Sequence, residues 1–139
     1  MRLLIVDDNM ADQYLLREAA ETSPSPLDLT FAMDGPHALA ILKHLTQEAP
    51  GEIPHLILLD IHMPGLSGLD VLERLKTDPQ LCAIPVVMLT TSNLPQDISR
   101  AFTLRANAYM QKHRDFVAFQ DQFHKLVDFW QATLFPVAS

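Results

Sequence analysis

The chain has 139 residues with a formal net charge of −7, 48% apolar and 19% charged. That is room for one hydrophobic core, it disfavours a polyanion binder, and it is too apolar for a disordered chain. Cys82 is the lone cysteine, so one chain builds neither a disulfide nor a thiolate metal centre.

Five short apolar segments punctuate the chain: Leu3–Val6, Leu27–Ala32, Leu56–Leu59, Ile84–Leu89 and Ala108–Gln111. Between them lie stretches of about 20 residues with helical spacing, the alternation that builds βα units on a parallel sheet. The first, third and fourth segments are apolar throughout, as strands covered on both faces require. None approaches the ~20 residues needed to span a bilayer, and Asp7 and Asp8 interrupt the apolar start before a signal sequence forms. The expected location is therefore cytoplasmic.

Asp34-Gly35-Pro36 predicts a turn into the second helix, whose face is Ala38, Ile41, Leu42 and Leu45. Ser67 with Asp70 reads as a capping box for the third helix, faced by Leu69, Val71, Leu72 and Leu75. Asn93 is the expected cap of the fourth helix, with Pro95 in its first turn. In the last helix Phe116, Phe119, Phe123, Leu126, Val127, Trp130 and Leu134 share about 100° of arc, and are expected in the core. Phe129 falls outside that arc and Phe135-Pro136-Val137 continues the apolar tail, which either meets a partner or folds back on its own domain.

Chemistry-bearing residues collect at strand ends. The first strand runs into Asp7-Asp8, the third into Asp60, the fourth into Thr90-Thr91-Ser92, and the fifth into Lys112. In an open α/β sheet ligands bind beyond these carboxyl ends, where strand order reverses. Three converging carboxylates repel one another unless a cation sits among them, and a hard divalent ion with oxygen ligands, Mg²⁺ by preference, answers that need. Singly, each signal is weak: Asp8 serves equally well as a helix cap, and Thr90 as an ordinary β-branched strand residue. Four features in order at four strand ends point to a phosphoryl group held on a carboxylate with a metal.

These residues resemble the receiver domain of the two-component response-regulator family. The motifs are Ile5-Val6-Asp7-Asp8-Asn9, Leu58 to Gly68 around Asp60, Pro85 to Thr90, and Tyr109-Met110-Gln111-Lys112. The resemblance runs from Leu3 to about Leu134, so 1–134 is expected as the receiver and 135–139 as a tail without an effector domain. It implies a three-layer αβα sandwich on a five-stranded parallel sheet of order 2-1-3-4-5, an arrangement for which a receiver protein is itself the standing example. It further implies that Asp60 is the phosphoacceptor, charged by a sensor histidine kinase. Asp8, Asp60 and the backbone carbonyl of His62 would hold Mg²⁺, with Asp7 helping through a metal-bound water. Lys112 would pair with Asp60 and then with phosphate, while Thr90 and Tyr109 would form the switch.

Some positions depart from the family pattern. His113 stands where the family has a proline, which puts the usual loop geometry after Lys112 in doubt. Thr91 replaces a smaller residue and narrows access to the acyl phosphate, and His62 and Ser92 occupy positions at which the family tunes hydrolysis. The segment Leu89 to Ser92, with Asp78-Pro79 and the stretch from Thr46 to His55, is similar to stand-alone receivers of bacterial phytochrome-type kinases. That implies a light-sensing kinase as donor and a homodimer; a histidine phosphotransfer protein is a further candidate partner, while the net charge of −7 disfavours nucleic acid and the short apolar runs disfavour a membrane. Two other classes fit less well. An aspartate-nucleophile phosphohydrolase wants a second Asp where His62 stands, and a nucleotide-binding domain wants a Gly-rich phosphate loop that four glycines do not supply. The remaining alternative is a degenerate receiver that only binds partners.

Overall fold

A computed structural model describes residues 1–133. In chain order the elements are β1 (Arg2–Val6), α1 (Met10–Glu21), β2 (Asp28–Ala32), α2 (Gly35–Glu48), β3 (Leu56–Leu59), α3 (Gly68–Thr77), β4 (Val86–Thr90), α4 (Pro95–Thr103), β5 (Ala108–Gln111) and α5 (Phe116–Gln131), with a short 3-10 turn at Pro50–Glu52. All strands pair in parallel in the order β2-β1-β3-β4-β5, the receiver arrangement expected from the sequence.

The pleat divides the core in two. Leu4 and Val6 face α2, α3 and α4 with Ala38, Leu42, Leu72 and Ala101, whereas Leu3 and Ile5 face α1 and α5 with Leu16, Phe119, Phe123 and Val127. Successive residues of a strand point to opposite sides, so a strand with a layer on each side must be apolar at every position. Hence β3 and β4 are buried along their whole length. The outer strand β2 alternates exposed and covered residues, and Arg17 of α1 lies 4.3 Å above the Phe31 ring to cover part of it.

Local signals set most helix starts. Asp34 accepts the His37 N–H at 2.8 Å, and Ser67 with Asp70 forms the reciprocal capping box. At α4 the expectation fails. Leu94, not Asn93, occupies the cap position and makes no side-chain cap, while Ser92 Oγ accepts the Leu94 N–H and donates to Asp97 at 2.6 Å. The buried hydroxyl at Ser92 does locally what an exposed amide at Asn93 was expected to do. The fourth strand also starts later than its apolar run suggests, because the Ile84 N–H turns back to Leu81 and Pro85 has none to give. Phe116 is 66% exposed although it lies on the apolar arc of α5. Helical side chains lean toward the N-terminus, so one in the first turn projects past the sheet edge with no layer beneath it. Phe129 is exposed as its angle requires. Leu134 and the apolar tail lie outside the described residues. Among those residues, no helix is long and apolar enough to cross a membrane.

Candidate phosphoryl and metal site

Parallel pairing brings the strand ends level. Val6 of β1 is in register with Leu59 of β3, so Asp7 and Asp60 follow side by side, and the Asp60 N–H donates to the Val6 carbonyl at 3.0 Å. The Asp7 N–H donates to Ala32 of β2, and the buried Gln13 amide holds the Asp7 carbonyl at 2.6 Å. Carboxylate oxygens of Asp7, Asp8 and Asp60 all lie within 4.8 Å of one another. Asp7 and Asp60 are buried, and Asp8 is half-buried. Asp8 does not cap α1; Asn9 does, accepting the Asp12 N–H at 3.0 Å.

Lys112, next after β5, reaches into this cluster. Its Nζ donates to Asp7 and Asp12 at 2.8 Å each and to Asp60 at 3.0 Å. Burial opposes its charge, but Asp7 and Asp60, with hydrogen bonds to Asp12 and Asp7, outweigh it and hold the ammonium above the ordinary lysine range. Burial pushes the Asp7 carboxyl up, against the opposing pull of Lys112. Among the described residues no peptide is cis, so Lys112 attains these contacts with His113 behind it in a trans chain.

Asp60 Oδ1 is buried without a hydrogen-bond partner. Such an acceptor costs roughly 1–3 kcal/mol unless something satisfies it. Three carboxylates, one of them with an orphaned oxygen, fit a hard divalent cation, which takes oxygen ligands and neutralises the crowded charge. The loop carrying Asp60 is pinned by a glycine: a Cβ on Gly68 would lie 1.9 Å from the Asp60 carbonyl oxygen, and the Gly68 N–H donates to Ile61 at 2.9 Å. Gly65, at φ 75°, supplies the left-handed turn just before it.

The remaining expected residues ring this centre. Thr90 ends β4, fully buried, and its carbonyl accepts the Lys112 N–H at 2.7 Å. Tyr109 on β5 is half-buried and donates its hydroxyl to the Ser92 carbonyl at 2.9 Å. The His62 imidazole is exposed and lies 3.9 Å from Asp97 of α4. Thr91 is exposed. Sequence reasoning missed Asp12, Gln13 and Asn9. Asp12 looked like an ordinary first-turn acid of a helix, and its one signal was its place four residues after Asp8, one helical turn from the strand end.

Comparison with known proteins agrees with this geometry. Residues 3–123 match the response regulator receiver domain model. Response regulator Rcp1 of Synechocystis sp. is 34% identical over 95% of this chain and 90% of its own. Among solved structures, the phosphorylated cyanobacterial phytochrome response regulator RcpA superposes with a TM-score of 0.90 at 34% identity, covering 98% of both chains. The Mn²⁺-bound form of Rcp1 gives 0.89 at 33% identity, covering 98% of this chain and 99% of that one. The chain belongs to the response regulator receiver domain family.

Proposed function

We propose that Asp60 accepts a phosphoryl group from the phosphohistidine of a sensor kinase, with Mg²⁺ bound, and that the modified Asp60 switches a protein-interaction surface. The observation that carries this reading is the pairing of Lys112 with Asp60 while the other Asp60 oxygen is buried and unpartnered. Asp8, Asp60 and the His62 backbone carbonyl would hold the ion, Asp7 assisting through a water. The ion supplies positive charge to the equatorial oxygens of the phosphoryl group in transit. An Asp60 carboxylate oxygen attacks phosphorus, the P–N bond breaks, and its electron pair stays on the donor imidazole. Lys112 meets the charge that gathers on phosphate, and the Thr90 hydroxyl turns to another phosphate oxygen. Tyr109, now tethered to Ser92, follows Thr90 inward as the switch. Loss of the phosphoryl group to water is the same site running on a second acceptor.

The similarity to Rcp1 and RcpA supports a phytochrome-type histidine kinase as donor and, with it, a cytoplasmic location. A histidine phosphotransfer protein is a further partner of the same chemistry. Exposed Phe129 supports a homodimer through the end of α5. Deleting residues 129–139 is expected to lower the mass seen by light scattering; an unchanged monomer before and after refutes the dimer. The decisive experiment is intact-protein mass spectrometry after acetyl phosphate with Mg²⁺. One added phosphoryl group is expected, absent in Asp60→Asn, and an unchanged wild-type mass refutes the reading.

A further inference from the structure

The chemistry above leaves Asp12 without a task. It is not one of the carboxylates that gather within 4.8 Å, and it comes from the first turn of α1 rather than from a strand end. Yet it takes a Lys112 N–H at 2.8 Å, as short as the bond to Asp7 and shorter than that to Asp60. An ammonium has three hydrogens, and here each goes to a different carboxylate.

A divalent ion arriving among Asp7, Asp8 and Asp60 draws on two carboxylates that Lys112 also holds, and it repels the ammonium at short range. With only Asp7 and Asp60 to hold it, Lys112 either competes with the ion for the charge of the same two carboxylates or leaves the site. Asp12 is the partner the ion does not need. Its backbone is fixed by Asn9 Oδ1, and its side chain is 21% exposed against 4% for Asp7, so it carries its charge at lower desolvation cost.

We propose that Asp12 is a positioning residue that acts through Lys112, drawing the ammonium to the α1 side so that the ion can use Asp60 directly and Asp7 through its water while Lys112 stays within reach of the phosphoryl group. The proposal rests on the reading of Asp7, Asp8 and Asp60 as the metal site. With Asp12→Asn the shape is kept and the charge is lost. Lys112 then leans on Asp7 and Asp60, and an entering ion must displace it.

The test is a Mn²⁺ titration of the full chain, read from the paramagnetic resonance signal of the free ion. Asp12→Asn is expected to weaken binding about tenfold, Asp12→Glu to recover most of it, and the same Asn substitution to cost under about threefold in a Lys112→Met background. A loss smaller than threefold with Lys112 present, or as large without it, overturns the proposal. A second measurement avoids the Lys112 variant: with metal bound, the ¹⁵N-labelled Lys112 ammonium signal persists in the wild type and is lost to water exchange in Asp12→Asn. Its persistence in both overturns the proposal too. A wild type that binds no Mn²⁺ removes the metal site along with it, whereas normal wild-type binding with an indifferent Asp12→Asn removes only the role of Asp12.

Discussion

Lys76 and Lys112 are buried to the same degree, 7% and 8% exposed, and each donates three hydrogen bonds. Their surroundings push them in opposite directions. Lys76, at the end of α3, meets only neutral oxygens: the carbonyls of Cys82 at 3.3 Å and Ile84 at 3.0 Å, and Asn107 Oδ1 at 3.1 Å. Burial, then the nearby Arg105 charge, lowers its pKa. Arg105, held at φ 72°, also bonds the Lys76 carbonyl, so this corner is a clasp joining α3 to the turns before β4 and β5. Lys112 meets three carboxylates, and its pKa rises. The formal charge of the acceptors, not their number, separates a fixed structural clasp from a charge site that an incoming ion can rearrange.

The largest effect should come from Lys112→Met, which leaves three buried or half-buried acids without a counter-charge. A loss of about 3–5 kcal/mol is expected in denaturant unfolding, most of it restored by saturating Mg²⁺. Failure of Mg²⁺ to restore it would break the comparison, because repulsion among acids would then not be the cause. Next, Mg²⁺ at about a hundred times its dissociation constant should stabilise the wild type by about 2.7 kcal/mol, a rise in melting temperature of roughly 10 °C by calorimetry. The same rise is expected in Lys76→Met, whose clasp faces no carboxylate. Lys76→Met itself should cost about 2 kcal/mol by leaving carbonyls unpaired, with no rescue by Mg²⁺ beyond the wild-type shift.

The smallest effect sharpens the contrast by pH. The folded pKa of Lys76 lies below its unfolded value of 10.5, so its buried charge burdens the fold below the folded pKa, and that burden lifts as pH rises toward 10.5. Wild-type stability relative to Lys76→Met should therefore climb through that window. Lys112 has the opposite sign: its contribution is complete below 10.5, falls as pH climbs from 10.5 toward its raised folded pKa, and is gone beyond it. Relative to Lys112→Met, the wild type should stay level over the same range in parallel chemical denaturations.

Most of this contrast was hidden in the sequence. Runs such as Leu56–Leu59 announce a doubly covered strand because every position must be apolar, and an acid directly after such a run must sit at the sheet edge. Asp7, Asp8 and Asp60 were legible for that reason, and Lys112 by its place directly after the fifth segment. Asp12 was not, since an acid in a helix's first turn has a sufficient local explanation in the helix dipole. Lys76, in the last turn of α3, carries no distinguishing sequence signal, and only the fold brings Asn107 and the turn before β4 over it. Asn93 misled because capping chemistry was also present one residue earlier, at Ser92, where burial decided the matter.

The hydrogen bond between Lys112 and Asp7 joins residues 105 apart, and the one to Asp60 joins residues 52 apart. Contacts of that separation form only after long loops have closed, so they tax the folding rate rather than speed it. A chain emerging during synthesis presents its acids well before the strand that brings their counter-charge. Until β5 docks on β4, repulsion among those acids works against closing the sheet edge, and a divalent ion would offset it. An ion held by Asp7, Asp8 and Asp60 would then act as a folding aid, offsetting their charge before Lys112 arrives.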